Sequence, residues 1–228
     1  MKKGNSEFTT YLAMMACLLG IVASGLWWQR ETRKKQELSL IYGIACGGDR
    51  TSFNKLRELK PSESTPQLEQ MALAREEDCF AETRVAAIEA LSSRGLPNKD
   101  ALTSLLEINH PFVVRHAAVE AFIRYGCDGL CIENALEALK ALSRGQTASE
   151  TKANAEIEKM LEKSAPSTQD LKSLERSRQD LKELEQQAQN DYFRLLQNNP
   201  CEVQKFLKVK YSSDHEFIGS IQKKVPGC

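Results

Sequence analysis

The sequence predicts an all-α protein: a short α-solenoid, preceded by an N-terminal transmembrane helix and followed by a long C-terminal helix. One stretch repeats itself at an interval of 31 positions, which is typical of helical solenoids. Glycine and proline recur between residues 43 and 145, so the helices in that part of the chain are predicted to be short. The chain also begins with a long uncharged run. The predicted domains are residues 1–35, 36–165 and 166–228.

Residues 8–28 form the predicted membrane anchor. This run has no charged side chain, and about 20 such residues are enough to cross a bilayer. Trp27 and Trp28 stand at its end and are followed by a basic cluster, as at a membrane interface. Two alternatives are a cleaved export signal and a lipoprotein signal ending at Cys17. The lipoprotein signal is a poor match, because apolar residues continue well past that cysteine.

Two opposing patterns indicate on which side of the membrane the remaining chain lies. Four basic residues follow the run and two precede it, which favours a cytoplasmic location. Six cysteines lie outside the run, an even number as disulfides require, and disulfides favour export. We interpret the chain as a single-pass membrane protein whose remaining part is exported. The candidate disulfides are Cys127–Cys131 and Cys201–Cys228; the alternative is that the thiols pack unpaired as small apolar groups.

The internal repeat aligns residues 78–95 with residues 109–126. Each copy opens with Asp or Asn, continues with an arginine and an Ala-Ala pair, and closes with glycine. The alanines allow close helix packing, and the glycines supply the left-handed position that ends a helix. Residues 98–108 and 132–142 are predicted to be the antiparallel partner helices. Arg84 aligns with Arg115, and Gly95 aligns with Gly126.

This pattern resembles HEAT-like repeats, of the short variety named for phycobilisome lyases, over about residues 78–145. The resemblance implies a ladder of arginines between adjacent repeats, so Arg84 and Arg115 are expected to be structural. A partly buried guanidinium needs a partner, such as Asp78 or a neighbouring carbonyl. The resemblance also implies an alternative function, an enzyme or enzyme subunit of the chromophore-lyase type.

The C-terminal domain begins with a helix-capping sequence, and its helix is predicted to run to about residue 198. Leucines recur at heptad spacing, but the companion positions include Arg178 and Glu185, which makes a poor coiled-coil seam. We expect the helix to pack along the solenoid instead. The predicted stripe consists of Leu171, Leu174, Leu181 and Leu184.

The sequence contains no recognisable catalytic constellation, cofactor motif or metal site. His116 with Cys127 and Cys131 could supply three metal ligands, but their spacing matches no common zinc pattern. Basic and acidic residues balance at 31 each, and aromatic residues make up 7%. Because nucleic-acid binding usually requires basic patches and stacking aromatics, no nucleic-acid partner is predicted.

The sequence favours a membrane-anchored scaffold that binds another protein, because stacked helical repeats present extended surfaces. Packing and capping account for most matching positions of the two copies. The partner surface is therefore expected at non-matching positions. The alternatives are the chromophore-lyase type of enzyme and a structural, self-assembling envelope protein. The candidate surface residues are Glu82, Val113, His116 and Arg124.

Overall fold

Ten α-helices and one 3₁₀ turn make up the part of the chain that the computed structural model describes, residues 4–144, 168–225 and 227. These residues contain no β-strand, which confirms the all-α prediction. Glu150-Thr-Lys152 matches Glu82-Thr-Arg84 in sequence and predicts a degenerate further repeat unit, which lies outside the described residues. The helices are α1 (Gly4–Cys46), α2 (Arg50–Glu58), α3 (Pro61–Leu73), α4 (Ala81–Ser92), α5 (Lys99–Leu102), α6 (Phe112–Tyr125), α7 (Gly129–Ser143), α8 (Thr168–Gln197), α9 (Pro200–Lys210) and α10 (His215–Lys224).

Helix α1 is one continuous helix of 43 residues, about 65 Å long at the usual rise per residue. Six of the eight side chains from residue 30 to residue 37 are charged, and Ala45 and Cys46 at its end are buried in the core. In the described part of the chain, no helix has both the length and the apolar character needed to cross a membrane. This finding overturns the predicted transmembrane helix over residues 8–28 and the single-pass membrane location.

Two layers of helices form the core from α3 to α8. Helices α4, α6 and the C-terminal part of α8 lie side by side in one layer. Helix α3, the α5 segment with its 3₁₀ turn (Thr103–Leu106) and α7 lie in the other. Buried alanines on α4 and α6 let the two helices approach closely. The solenoid architecture and the assignment to HEAT-like repeats stay predictions.

Each copy of the sequence repeat forms one helix, α4 or α6, with a glycine at or just beyond its end. Gly95 and Gly126 have φ angles of 84° and 89°, a region that other residues rarely adopt. The partner segment after α4 differs from the prediction of one helix over residues 98–108. It has four α-helical residues followed by the 3₁₀ turn. The Thr103 and Ser104 hydroxyls donate to carbonyls three residues back, which competes with regular helix bonding.

Two disulfides link cysteines within the described residues. Cys127 and Cys131 are bridged, with their Cα atoms 5.2 Å apart, which confirms that predicted pair. Cys46 and Cys79 form a second bridge, with Cα atoms 4.4 Å apart, that the sequence did not predict. This bridge ties the end of α1 to the loop before α4. Cys228, the predicted partner of Cys201, lies outside the described residues.

The C-terminal helices fold back onto the layered core. The Lys210 ammonium lies 2.6 Å from Glu133 and 3.0 Å from Glu137 on α7, and the Tyr211 hydroxyl donates to Glu137 at 2.7 Å. In the predicted leucine stripe, Leu184 is 40% exposed, and the side chains of the other three leucines lie outside the described ones. Among the described side chains of α8, the buried ones are Ala188, Asp191, Tyr192, Leu195 and Leu196.

Candidate functional site

A groove of about 480 Å³ runs between α4 and α6. Residues three or four apart along a helix share one face, so each helix contributes one stripe of side chains to it. The apolar lining is Val85, Ile88, Phe112, Val113, Ala117 and Ala121. The polar lining is Glu89, Ser92, His116, Glu120 and Arg124.

Three of the four predicted surface residues line this groove. Val113, His116 and Arg124 lie along α6, spaced about one or two helical turns apart. Val113 is 47% exposed, so it offers an apolar contact to solvent at the groove. Glu82 is exposed on the first turn of α4 and does not line the groove. The structure therefore brings together Val113, His116 and Arg124 and leaves Glu82 outside.

His116 is held at the edge of the groove by a residue from α8. Its Nδ1 lies 2.7 Å from a carboxylate oxygen of Asp191, and its ring stacks on Phe112 with centroids 5.8 Å apart. The Asp191 side chain is only 7% exposed, whereas that of His116 is 38% exposed. A buried carboxylate that accepts from an imidazole N–H fixes the orientation of the ring. The other ring nitrogen is then left for further contacts.

Two more charged groups complete what we call the His116 cluster: His116, Glu120, Asp191 and Arg194. Glu120 lies one turn after His116 on α6, and Arg194 lies one turn after Asp191 on α8. The Arg194 guanidinium is 2.8 Å from Glu120 and 3.6 Å from Asp191. Three of these residues could bind a metal ion: one potential ligand atom from each lies within 4.8 Å of the other two. They are His116, Glu120 and Asp191.

The two repeat arginines are buried and do not line the groove. Arg84 donates from Nε to the Ala72 carbonyl at 3.2 Å and from a terminal nitrogen to Nδ1 of His110 at 2.9 Å. Burial lowers the pKa of the Arg84 guanidinium, and Glu76 partly opposes that effect. The Ala72 carbonyl is one of the two kinds of partner predicted for a repeat arginine. The bond to His110 was not predicted.

Arg115 occupies the matching place on α6 but is bonded less completely. It is 7% exposed, and its Nε and one terminal nitrogen have no hydrogen-bond partner within the described part of the chain. The guanidinium lies against the hydroxyl of Tyr192. Burial raises the pKa of this hydroxyl, and Arg115 partly opposes that effect. The Tyr192 hydroxyl donates a hydrogen bond to the Leu106 carbonyl. Both arginines are buried, while their role in a repeat ladder stays a prediction.

The metal-ligand set considered from the sequence, His116 with Cys127 and Cys131, does not come together. The two cysteines are bridged to each other, and a disulfide sulfur lacks the thiolate charge that binds a metal. His116 instead hydrogen-bonds to Asp191, and Glu120 lies one turn further along α6 with a potential ligand atom within 4.8 Å. Asp191 lies 75 residues from His116 in the chain, so no local spacing pattern indicated it.

Comparison with known proteins adds no further constraint on the site. The chain matches no protein-family model, no curated protein and no solved structure. Its function has to be inferred from the groove and the His116 cluster themselves.

Proposed function

We propose that this protein is a helical scaffold that binds a segment of another protein in the groove between α4 and α6. The observation that supports this most directly is the grouping of Val113, His116 and Arg124 along one open groove with an apolar lining. Apolar side chains at the centre of a site with charged groups at its edge are typical of protein interfaces.

The composition of the groove favours a short peptide segment as the bound part. Its volume of about 480 Å³ holds a few side chains rather than a folded surface. Val113 offers an exposed apolar contact, and Glu89, Glu120 and Arg124 supply both signs of charge around it. A segment with an apolar anchor flanked by charged residues would complement this lining.

The two disulfides support an oxidising compartment as the place where the scaffold acts, because such bridges are rare in the cytosol. We therefore propose that the disulfide-linked part of the chain, from Cys46 onward, is exported. The balanced charge gives no support to a nucleic-acid partner. The chromophore-lyase alternative depends on the repeat resemblance alone.

Site-specific photocrosslinking in intact cells tests the proposal. A photoreactive phenylalanine analogue replaces Val113 in the groove or, as a control, Val209 on α9, which is 83% exposed and apolar as well. We expect a discrete crosslinked product with a second protein from position 113 and none from position 209. Arg124→Glu should weaken that product several-fold, whereas Lys208→Glu on α9 should leave it unchanged. Identical products from both positions, or none from position 113, would contradict a groove-bound partner.

A further inference from the structure

The His116 cluster combines the donor types and the spacing of a metal site. His116 and Glu120 are four residues apart on α6, so their side chains lie above one another on one face. Asp191 meets them from α8, and one donor atom from each of the three lies within 4.8 Å of the others. Within the described residues, no other group of three such donors converges in this way.

Little movement is needed to bring these donors to bonding distance of one ion. Ligands about 2.0–2.1 Å from a tetrahedral ion are roughly 3.3 Å from one another. Nδ1 of His116 and the Asp191 carboxylate oxygen are 2.7 Å apart in a hydrogen bond that the ion would replace, and one donor atom from each of the three residues lies within 4.8 Å of the others. Rotation of the His116 and Glu120 side chains, both only partly buried, covers the difference.

The Asp191 carboxylate is held in place before any ligand binds. Asp191 is 5% exposed, and an ionised carboxylate at such a depth is costly unless a positive group compensates it. The positive group is Arg194, whose side chain is 54% exposed, and a hydrogen bond from the partly exposed His116 satisfies the same carboxylate. A buried acceptor whose partners can move aside is a preorganised ligand, in contrast to a cluster of exposed acidic residues.

We propose that His116, Glu120 and Asp191 bind one divalent transition-metal ion of the zinc class at the edge of the groove. One imidazole nitrogen and two carboxylate oxygens suit zinc, cobalt or nickel better than magnesium or calcium, which take oxygen ligands alone. Three protein ligands leave one position of a tetrahedral ion for water or a bound molecule. Since His116 and Glu120 also line the groove, that position faces its contents.

Arg194 provides the test that separates a metal site from a purely structural ion-pair cluster. Its guanidinium lies against both carboxylates, at 2.8 Å from Glu120 and 3.6 Å from Asp191. A metal ion must displace it, so Arg194 competes with the metal for the same oxygens. Removal of Arg194 should therefore strengthen metal binding, although it removes two ion pairs from the fold.

Calorimetric titration of the full chain with zinc sulfate tests the proposal. The protein carries no histidine tag, keeps its disulfides and is alkylated without reductant, so that no thiol competes for zinc. We expect one zinc per chain, at least tenfold weaker binding in His116→Gln and Glu120→Gln, and several-fold tighter binding in Arg194→Gln. His215→Gln, on the exposed start of α10, is the matched control and should bind as the parent does.

Cobalt substitution gives a second readout that does not depend on heat signals. A tetrahedral cobalt ion with nitrogen and oxygen ligands has visible absorption bands, which should appear in the parent and in His215→Gln but not in His116→Gln. Circular dichroism checks that each variant is folded. Absence of zinc binding, or equal affinity in the parent and the folded His116 and Glu120 variants, would overturn the site. Because these measurements need no partner protein, their outcome is separate from that of the crosslinking experiment.

Discussion

The Arg84 guanidinium donates a hydrogen bond to Nδ1 of His110 across 2.9 Å. Arg84 belongs to α4 and His110 lies just before α6, so this bond joins the two copies of the sequence repeat. The imidazole accepts the bond only in its neutral form. Burial, followed by the charges of Arg84 and Arg115, lowers the pKa of His110 to about 4. The neutral ring is thus part of the packed interface between the copies.

We predict that the protein loses stability on acidification because of this histidine. The pKa of His110 is about 4 in the folded protein and 6.5 ordinarily, so the unfolded chain binds the proton more tightly. Stability that is fully present above pH 6.5 is therefore lost as the pH falls toward 4. The loss is roughly 1–3 kcal/mol after an allowance for partial solvent screening. Urea unfolding followed by circular dichroism near pH 7, 5.5 and 4.5 measures it.

A histidine variant isolates this contribution from general acid effects. Glutamine at position 110 can still accept a bond from Arg84 but does not titrate, so His110→Gln should show a smaller pH dependence than the parent. His215→Gln changes an exposed histidine on α10 and serves as the control. Equal pH dependence in the parent and His110→Gln would show that His110 is not the responsible group.

The two repeat arginines should differ in their contribution to stability. Arg84→Met leaves the Ala72 carbonyl and His110 without their donor, at a cost of about 2–4 kcal/mol. Arg115→Met removes a guanidinium with two unpartnered nitrogens, so its cost should be about 1 kcal/mol or less. Urea unfolding at neutral pH gives both values. If Arg115→Met proves as costly as Arg84→Met, then Arg115 has partners beyond those observed.

The helices that sequence could predict are the ones whose signals are local. The arginine, the alanine pair and the closing glycine lie within one helix and its cap, and α4 and α6 formed where these residues predicted. The helix over residues 98–108 was predicted too long, since hydroxyl-to-carbonyl bonds from Thr103 and Ser104 favour a 3₁₀ turn. The uncharged run over residues 8–28 likewise predicted a transmembrane helix wrongly, because no described helix has the length and apolar character needed to cross a membrane.

The candidate site could be predicted only on one of its two sides. Val113, His116 and Arg124 were found because they fall on one repeat helix at positions that packing does not require. Asp191 and Arg194 come from α8, more than 70 residues further along the chain. The Cys46–Cys79 pair was missed for a similar reason, because several cysteine pairings are equally compatible with the spacing.

Removal of the Cys46–Cys79 disulfide should destabilise the protein more than removal of the Cys127–Cys131 disulfide. The first closes a loop with a sequence separation of 33 and the second one of 4. Chain-entropy arguments give roughly 3–4 kcal/mol for the longer loop and about 2 kcal/mol for the shorter one. Paired cysteine-to-alanine variants, unfolded in urea without reductant, provide the comparison. Equal losses would mean that local packing at the bridges, rather than loop length, dominates.

The hydroxyl of Tyr192 should anchor α8 to the layered core. It is buried, donates to the Leu106 carbonyl and lies against Arg115, so Tyr192→Phe leaves a buried carbonyl unpaired. We expect a loss of about 1–3 kcal/mol in the free energy of unfolding. Tyr211→Phe is the matched control: its hydroxyl donates to Glu137, which also accepts from Lys210 and is exposed, so the loss should be smaller.

Since Arg115 and Tyr192 are in contact, the losses in Arg115→Met and Tyr192→Phe should not add, and the double variant should differ from their sum by about 0.5 kcal/mol or more. Additive losses would show that the two groups act independently, and that Arg115 has no part in holding α8 against α6.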